Sequence, residues 1–428
     1  MGGIAWPPDG ELATSWLVRR AFAPQSLDSG CDYPVPSENM EFDATLFQTS
    51  PPQYGSASLA DVIPSALSIL DVNGERDILG LAAAGLGDAR RIAVLLVDGL
   101  GYHLLPEAAK SSPQLATALD GTRGTLRELT TNFPSTTPTS LASLSVGVPP
   151  GQHGLMGFTV NVPGTDDILT HIAWHGAPDP LTWQPRDTCY TRASAAGVAT
   201  TVVSRHEYAR SGLTDAIFRG AEIARASSIP ETVAAMRDGL ARGDRSLVYG
   251  YFPYVDKTGH ADGPGTDSWH DAVGELDGML DRLLDALPGD TAVLLTADHG
   301  MIGVDDDSRV NVADHPHLRD GVRLIAGEPR VRYVHTHPGA TADVLATWTE
   351  TLGDRARVCT RAEAIDAGWF GPVTEAHAQR IGDVVAICRD RTVLLGVPES
   401  DFATTVPLRG YHGGLTAAEM AIPLWIAR

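Results

Sequence analysis

Five short segments of the 428-residue chain carry side chains that can do chemistry. In chain order they are Leu96-Val97-Asp98-Gly99, Phe133-Pro134-Ser135-Thr136-Thr137-Pro138, Asp256-Lys257-Thr258-Gly259-His260, Ala297-Asp298-His299-Gly300 and Tyr411-His412-Gly413-Gly414. Together they supply three Asp, three His and a Thr hydroxyl. Imidazoles mixed with carboxylates suit divalent ions, Zn2+ first and Mn2+ or Fe next, and the set is large enough for two of them. Taken singly, each segment has an ordinary reading. Asp followed by Gly is a common turn, and Asp256 with His260 at i, i+4 fits a helix-end ion pair. Asp298-His299 is harder to dismiss: two adjacent polar groups after an apolar strand cost free energy unless something uses them. The weight lies in all five occurring together.

The elements around these segments explain how they could meet. Arg91–Val97 (RIAVLLV) is a near-continuous apolar run that ends at Asp98-Gly99, as expected of a parallel strand covered on both faces. Ser246–Phe252 (SLVYGYF) and Thr291–Thr296 (TAVLLT) read the same way, and each is followed closely by acidic and His residues. Between them, Thr266–Leu287 places Val273, Leu276, Leu280, Leu283, Leu284 and Leu287 at three- and four-residue steps, the pattern of a helix with one buried face. Pro230–Arg242 reads as another helix. Strands alternating with helices imply an α/β fold with a doubly wound, mainly parallel central sheet flanked by helices. Ligands of such sheets sit beyond the carboxyl ends of the strands, where these acidic groups fall. Pro138 favours the first turn of a helix, which makes Thr137 its expected N-cap and Thr139–Val146 its body. The positive end of that helix would face an anion.

Composition narrows the partners. With 53 acidic against 32 basic residues the net charge is −21, so duplex nucleic acid and anionic membrane are poor partners while small phosphate esters are not excluded. No run of about 18 apolar residues marks a membrane span. Met1–Arg20 lacks the apolar core of a secretory signal, giving a cytoplasmic expectation. Cys31, Cys189, Cys359 and Cys388 form no Cys-x-x-Cys pair and are expected as buried free thiols. Residues 1–54 read as an irregular, Pro/Gly/Ser-rich extension and 55–428 as the catalytic domain. Insertions near 159–225 and 302–410 are expected to form a cap.

The segments VLLVDGLG, FPSTTPTSLASLSVGVPPGQHGL, YVDKTGHADGPG, LLTADHGM and YHGGLTAAEMAIPL resemble the alkaline phosphatase superfamily. Within it they are most similar to the nucleotide pyrophosphatase/phosphodiesterase (type I phosphodiesterase) branch, over roughly residues 59–428. The resemblance implies an alkaline-phosphatase-like fold and two divalent ions. One would be held by Asp256, His260 and His412, the other by Asp98, Asp298, His299 and the Thr137 hydroxyl. It implies Thr137 as nucleophile, forming a covalent phosphothreonine that water then hydrolyses. A free Thr hydroxyl is a feeble nucleophile near neutral pH, and a coordinated cation lowers its pKa. Two ions also neutralise three carboxylates and an alkoxide.

The pattern departs from the family in two places. Pro138 cannot donate the backbone N–H that many members direct at the phosphate. Where many members carry a phosphate-binding Asn after His-Gly, here His153-Gly154, this chain has Gly157 and Phe158; Asn161 is out of register. Phe158 and Tyr254 are the candidates to contact a base or other leaving group. The remaining histidines, among them His153, His175, His270, His315, His335 and His337, lack partners at ligand spacing. Phosphodiester or pyrophosphate substrates of nucleotide type come first, because no Arg lies in a motif matching the monoesterase phosphate clamp. Phosphate monoesters and phosphonates are the near alternatives. A sulfatase is disfavoured by Thr137-Pro138-Thr139, and a metal-binding pseudoenzyme by the intact set of seven groups.

Overall fold

The computed structural model describes residues 44–428 apart from 207, 209, 210, 286, 399 and 401–407. Most of the expected N-terminal extension and Cys31 therefore lie outside the described residues. Residues 44–54 lie against the main body: Ser50 N–H donates to the Leu415 carbonyl and the Tyr54 hydroxyl to the Trp369 carbonyl at 2.9 Å.

Seven strands form the central sheet: β1 (Arg91–Val97), β2 (Thr125–Thr130), β3 (Ala199–Ser204), β4 (Glu222–Arg225), β5 (Ser246–Phe252), β6 (Thr291–Thr296) and β7 (Ala421–Ala427). Their order is β2-β7-β6-β1-β5-β3-β4. β1 runs parallel to β5 and β6, and β3 runs parallel to β4 and β5; β7 alone is antiparallel, between β2 and β6. β1 and β6, at the centre of the sheet, are apolar and buried almost throughout. That burial is why their sequences read as continuous apolar runs rather than alternating ones.

Register positions the chemistry. Val97 pairs with Phe252 and Leu96 with Thr296, so β1, β5 and β6 end level with one another. Asp98, Asp256 and Asp298 follow those ends by one, four and two residues. Ala421 pairs with Thr130, so the loop before β7, with His412, and the loop after β2, with Thr137, emerge at the same edge. Helices then carry the chain onward: α1 (Thr137–Val146), α2 (Tyr254–Asp262) and α3 (Asp267–Leu284). On α3 the expected apolar stripe, from Val273 to Leu284, is buried.

The two stretches expected as insertions differ from each other. Within 159–225, the hairpin Thr159–Asn161/Ile168–Thr170 and the helices after it stand outside the central sheet, but residues 199–204 and 222–225 are its strands β3 and β4. Thr200 and Thr201 interrupt the apolar run of β3, and β4 is a four-residue edge strand with Glu and Arg at its ends, so neither carries a buried-strand signature. The stretch 302–410 builds a second, four-stranded antiparallel sheet from Val322–Glu328, Val331–Thr336, Val384–Cys388 and Ala356–Thr360. The helix Thr341–Leu352 packs on it through Val344 and Trp348, giving this region its own apolar core.

Cys189, Cys359 and Cys388 are free and buried. No helix among the described residues is long and apolar enough to cross a membrane.

Buried neutral histidines predict acid sensitivity. His171 is fully buried; its Nδ1 lies 2.7 Å from the Gly157 carbonyl and its Nε2 accepts from the Trp183 indole at 3.2 Å. Both ring positions are filled by a neutral tautomer, and burial holds the imidazole down at about 4. Burial does the same to His335, also about 4. These depressed values make folding weaken as pH falls from about 6.5 toward 4, because the unfolded chain takes up protons that the folded chain refuses. In thermal melts across that window, the parent should lose more stability on acidification than His171→Asn, which cannot titrate. Equal slopes would contradict this.

Candidate active site

Asp98, Asp256, Asp298, His260, His299 and His412 converge at the carboxyl edge of the sheet, with Thr137 beside them. Two overlapping groups result: Asp256, His299 and His412, and Asp98, Asp298 and His299, each with ligand-type atoms within 4.8 Å of one another. His260 joins the first, with Nε2 3.4 Å from Asp256 Oδ2 and 3.1 Å from His412 Nε2. Thr137 Oγ1 lies 3.2 Å from His299 Nε2. The resemblance puts His299 with Asp98 and Asp298; in the structure its ring lies between both groups, stacked on His412 at 3.5 Å between centroids.

The way each histidine is held reveals what the pocket wants. Nδ1 of His260 faces the Gly410 carbonyl at 2.8 Å, that of His299 the Gly300 carbonyl at 2.9 Å, and that of His412 the Ser135 carbonyl at 2.8 Å. A carbonyl only accepts, so each neutral ring carries its proton on Nδ1 and turns a bare Nε2 inward. Two bare nitrogens 3.1 Å apart, on His260 and His412, cannot hydrogen-bond to each other. Nearby, Asp98 Oδ1, Asp256 Oδ1 and Asp298 Oδ2 are buried without a hydrogen-bond partner. Buried lone pairs in this number are costly unless a cation meets them. The donor set, its tautomers and the backbone carbonyls that fix those tautomers therefore fit divalent metal ions.

The rest of each carboxylate is fixed by neighbours. Asp298 Oδ1 accepts from the N–H groups of Gly99 and His299, both at 3.1 Å. Asp98 Oδ2 accepts from the Tyr251 hydroxyl. Gly99 has φ +73°, and a Cβ there would stand 2.9 Å from the backbone of Asp256, so only glycine lets α2 approach β1 this closely. Burial first, then the carboxylates of Asp298 and Asp256, push the Asp98 carboxyl well above the ordinary carboxylate range. Burial also raises Asp256, against the pull of His260 and His299. Burial, with His299 and His260 nearby, keeps His412 neutral.

Thr137 is half-buried in a segment, 131–140, that is otherwise buried, so its hydroxyl is the one reachable there. The helix begins one residue earlier than its sequence implies. Thr136 is the N-cap, with extended φ/ψ and its carbonyl accepting from Ser140 N–H, while Thr137 is the first helical residue and Pro138 the second. Pro is accommodated because the N–H it lacks would have no intrahelical partner at either position.

Other sequence candidates are placed as follows. Phe158 is half-buried. Tyr254 lines a small hollow with Arg205 and Tyr251, and its hydroxyl accepts from Arg205 at 2.7 Å. Asn161 Nδ2 donates to the carbonyls of Thr165 and Asp167. Lys257 is exposed. His153 is buried against Ser143, and His270 pairs with Glu107. The Thr416 hydroxyl donates to Glu419, which also accepts from Arg330 and from Gly414 N–H. Tyr251 is a partner of Asp98 that the sequence alone does not reveal, since only the parallel register sets it beside Leu96.

A search of solved structures returns proteins of the same fold. Murine ectonucleotide pyrophosphatase/phosphodiesterase 5 is 18% identical, with a TM-score of 0.64 over 78% of this chain and 87% of that one. The human protein of that name is 16% identical with a TM-score of 0.62, over 78% and 87%. Phosphonoacetate hydrolase from Sinorhizobium meliloti 1021, solved with phosphonoacetate, is 21% identical with a TM-score of 0.60, over 79% and 90%. No curated protein matches the sequence. A sequence model of type I phosphodiesterase/nucleotide pyrophosphatase matches residues 92–415, a span that takes in all seven clustered groups. The chain thus belongs to the type I phosphodiesterase/nucleotide pyrophosphatase family of phosphoester hydrolases.

Proposed function

We propose that the protein is a two-metal phosphohydrolase that cleaves phosphodiester or pyrophosphate bonds of nucleotide-type substrates through a covalent phosphothreonine on Thr137. The observation that carries this reading is the inward-facing set itself: three bare imidazole nitrogens and three unpartnered carboxylate oxygens beside the reachable Thr137 hydroxyl. Asp256, His260 and His412 would hold one ion, and Asp98, Asp298, His299 and Thr137 the other, with Zn2+ favoured by the imidazole share. Bound there, the ions would supply positive charge to the phosphoryl oxygens and lower the pKa of the Thr137 hydroxyl.

The chain's own residues do the rest. Thr137 Oγ attacks phosphorus, its bond forming as the bond to the leaving oxygen breaks, and the departing group takes up a proton. Water then cleaves the Oγ–P bond, releasing the phosphoryl product and restoring the hydroxyl. The first turn of α1 adds its positive end. Pro138 provides no N–H, so the phosphate depends more on charge than on backbone donors. Phe158 and Tyr254 remain the candidates to contact the leaving group.

A phosphate monoesterase or phosphonate hydrolase on the same groups is the second reading. The fold shared with a phosphonoacetate hydrolase favours it, and Gly157 and Phe158, where many family members carry a phosphate-binding Asn, leave substrate preference open to this chain's own residues. Hydrolysis of a chromogenic phosphodiester and a monoester, each with and without chelator, separates these readings. The expected result is faster diester cleavage that chelator abolishes and Zn2+ or Mn2+ restores. Preference for the monoester would assign a phosphatase, and no chelator-sensitive turnover of either would leave a metal-binding pseudoenzyme.

A further inference from the structure

The His412 loop is gripped from the second sheet by a buried ion pair. Arg330, at the tip of the hairpin joining Val322–Glu328 to Val331–Thr336, is fully buried, as is Glu419. Arg330 Nε donates to Glu419 Oε1 at 2.9 Å and Nη2 to Oε2 at 2.7 Å. Its Nη1 donates to the Thr392 carbonyl. Each Glu419 oxygen then takes a second hydrogen bond, from the loop: Gly414 N–H to Oε1 at 2.8 Å and the Thr416 hydroxyl to Oε2 at 2.6 Å. The two carboxylate oxygens thus join the guanidinium fork to the loop.

That loop is in turn stitched to the segment carrying Thr137. Ser135 Oγ donates to the Gly414 carbonyl at 2.8 Å and accepts from Gly413 N–H at 3.1 Å, Ser135 N–H donates to the Gly413 carbonyl, and His412 Nδ1 donates to the Ser135 carbonyl. The same hairpin presses on the loop a second time. Gly413 has φ +125°, and a Cβ on it would stand 2.7 Å from the Glu328 carboxyl; one on Gly414 would stand 2.7 Å from Glu419 Oε2. Arg330 Nη2 would stand 3.2 Å from the same Cβ on Gly414, so Glu328 and Arg330 of the tip lie against Gly413 and Gly414 in turn.

We propose that Arg330 is a positioning residue for the cation held by His412, acting through Glu419 and the 412–416 loop. A buried ion pair contributes little net stability compared with apolar packing of the same volume. What a bidentate fork does supply is a fixed orientation of the carboxylate, which a single ammonium cannot. Outer partners of metal-ligating histidines set ligand orientation and affinity in this way. The proposal rests on the two-metal reading, and its test separates the two.

The full-length chain, stripped of metal, is titrated with zinc chloride by calorimetry, as parent and as Arg330→Lys. Lysine keeps a cation opposite Glu419 but contacts it at one point. The expected result is two binding events in the parent, of which one weakens roughly 10- to 100-fold in the variant and the other does not move, with the metal-free melting temperature close to the parent's. If Arg330→Lys does not fold, the double variant Arg330→Met/Glu419→Gln removes both charges while keeping an amide oxygen for Gly414 N–H, and the same single-site weakening is expected. A folded variant that binds both ions like the parent overturns the proposal. So does equal weakening at both sites together with a lowered metal-free melting temperature, the mark of a purely structural role. A parent that takes up no zinc would instead end the two-metal reading.

Discussion

Thr137→Ala should bind two ions and lose nearly all turnover. The hydroxyl lies 3.2 Å from His299 Nε2 and is the reachable polar group of its segment, whereas the backbone of the first helical turn is built from Thr136, Ser140 and Pro138 and loses nothing in the variant. Removing a covalent nucleophile leaves only the contributions of binding and charge, so kcat should fall by roughly 10⁴-fold or more. Thr137→Ser should keep measurable activity, since it retains the hydroxyl. Acid quenching during turnover should trap phosphorus on Thr137 in the parent and none in Thr137→Ala, read by mass spectrometry of the tryptic peptide. An alanine variant with near-parental kcat would remove the covalent step and point to direct attack by water.

The second large effect is at Asp298. Asn in its place keeps the Oδ1 acceptor for Gly99 and His299 N–H but replaces the unpartnered oxygen with an NH2 group that cannot ligate. One ion should be lost or bound far more weakly, and with it several kcal/mol of transition-state stabilisation, about 10³-fold in kcat/KM. Stability should move the other way. Asp298 is one of three buried carboxylates, and its charge is among the causes that raise Asp98. In chelator, Asp298→Asn should therefore melt above the parent, while with Zn2+ present the parent should gain more and the order should reverse. A chelated variant that melts below the parent yet keeps two ions would contradict this.

Much of this was legible from sequence because each carboxylate sits within four residues of a buried strand end, and buried parallel strands have an unmistakable apolar signature. Arg91–Val97, Ser246–Phe252 and Thr291–Thr296 are strands with the bounds their sequences suggest. The partners that depend on register or on distant contacts were not legible. Tyr251 reaches Asp98 only because β5 lies beside β1. Arg330 and Glu419 are 89 positions apart, and nothing in the sequence pairs them. Strand β7 hides behind Pro423, which is tolerated because pairing with β6 begins only at Leu424. At Thr137 the helix start is displaced by one residue, since a proline suits either of the first two positions.

The most direct test of the account is where metal sits. Crystals of the zinc-loaded protein, measured at the zinc absorption edge, should give two anomalous peaks about 4 Å apart. One should touch Asp256, His260 and His412, and the other Asp98, Asp298, His299 and the Thr137 hydroxyl. A single peak, or two peaks that leave these carboxylates and imidazoles unliganded, would contradict it.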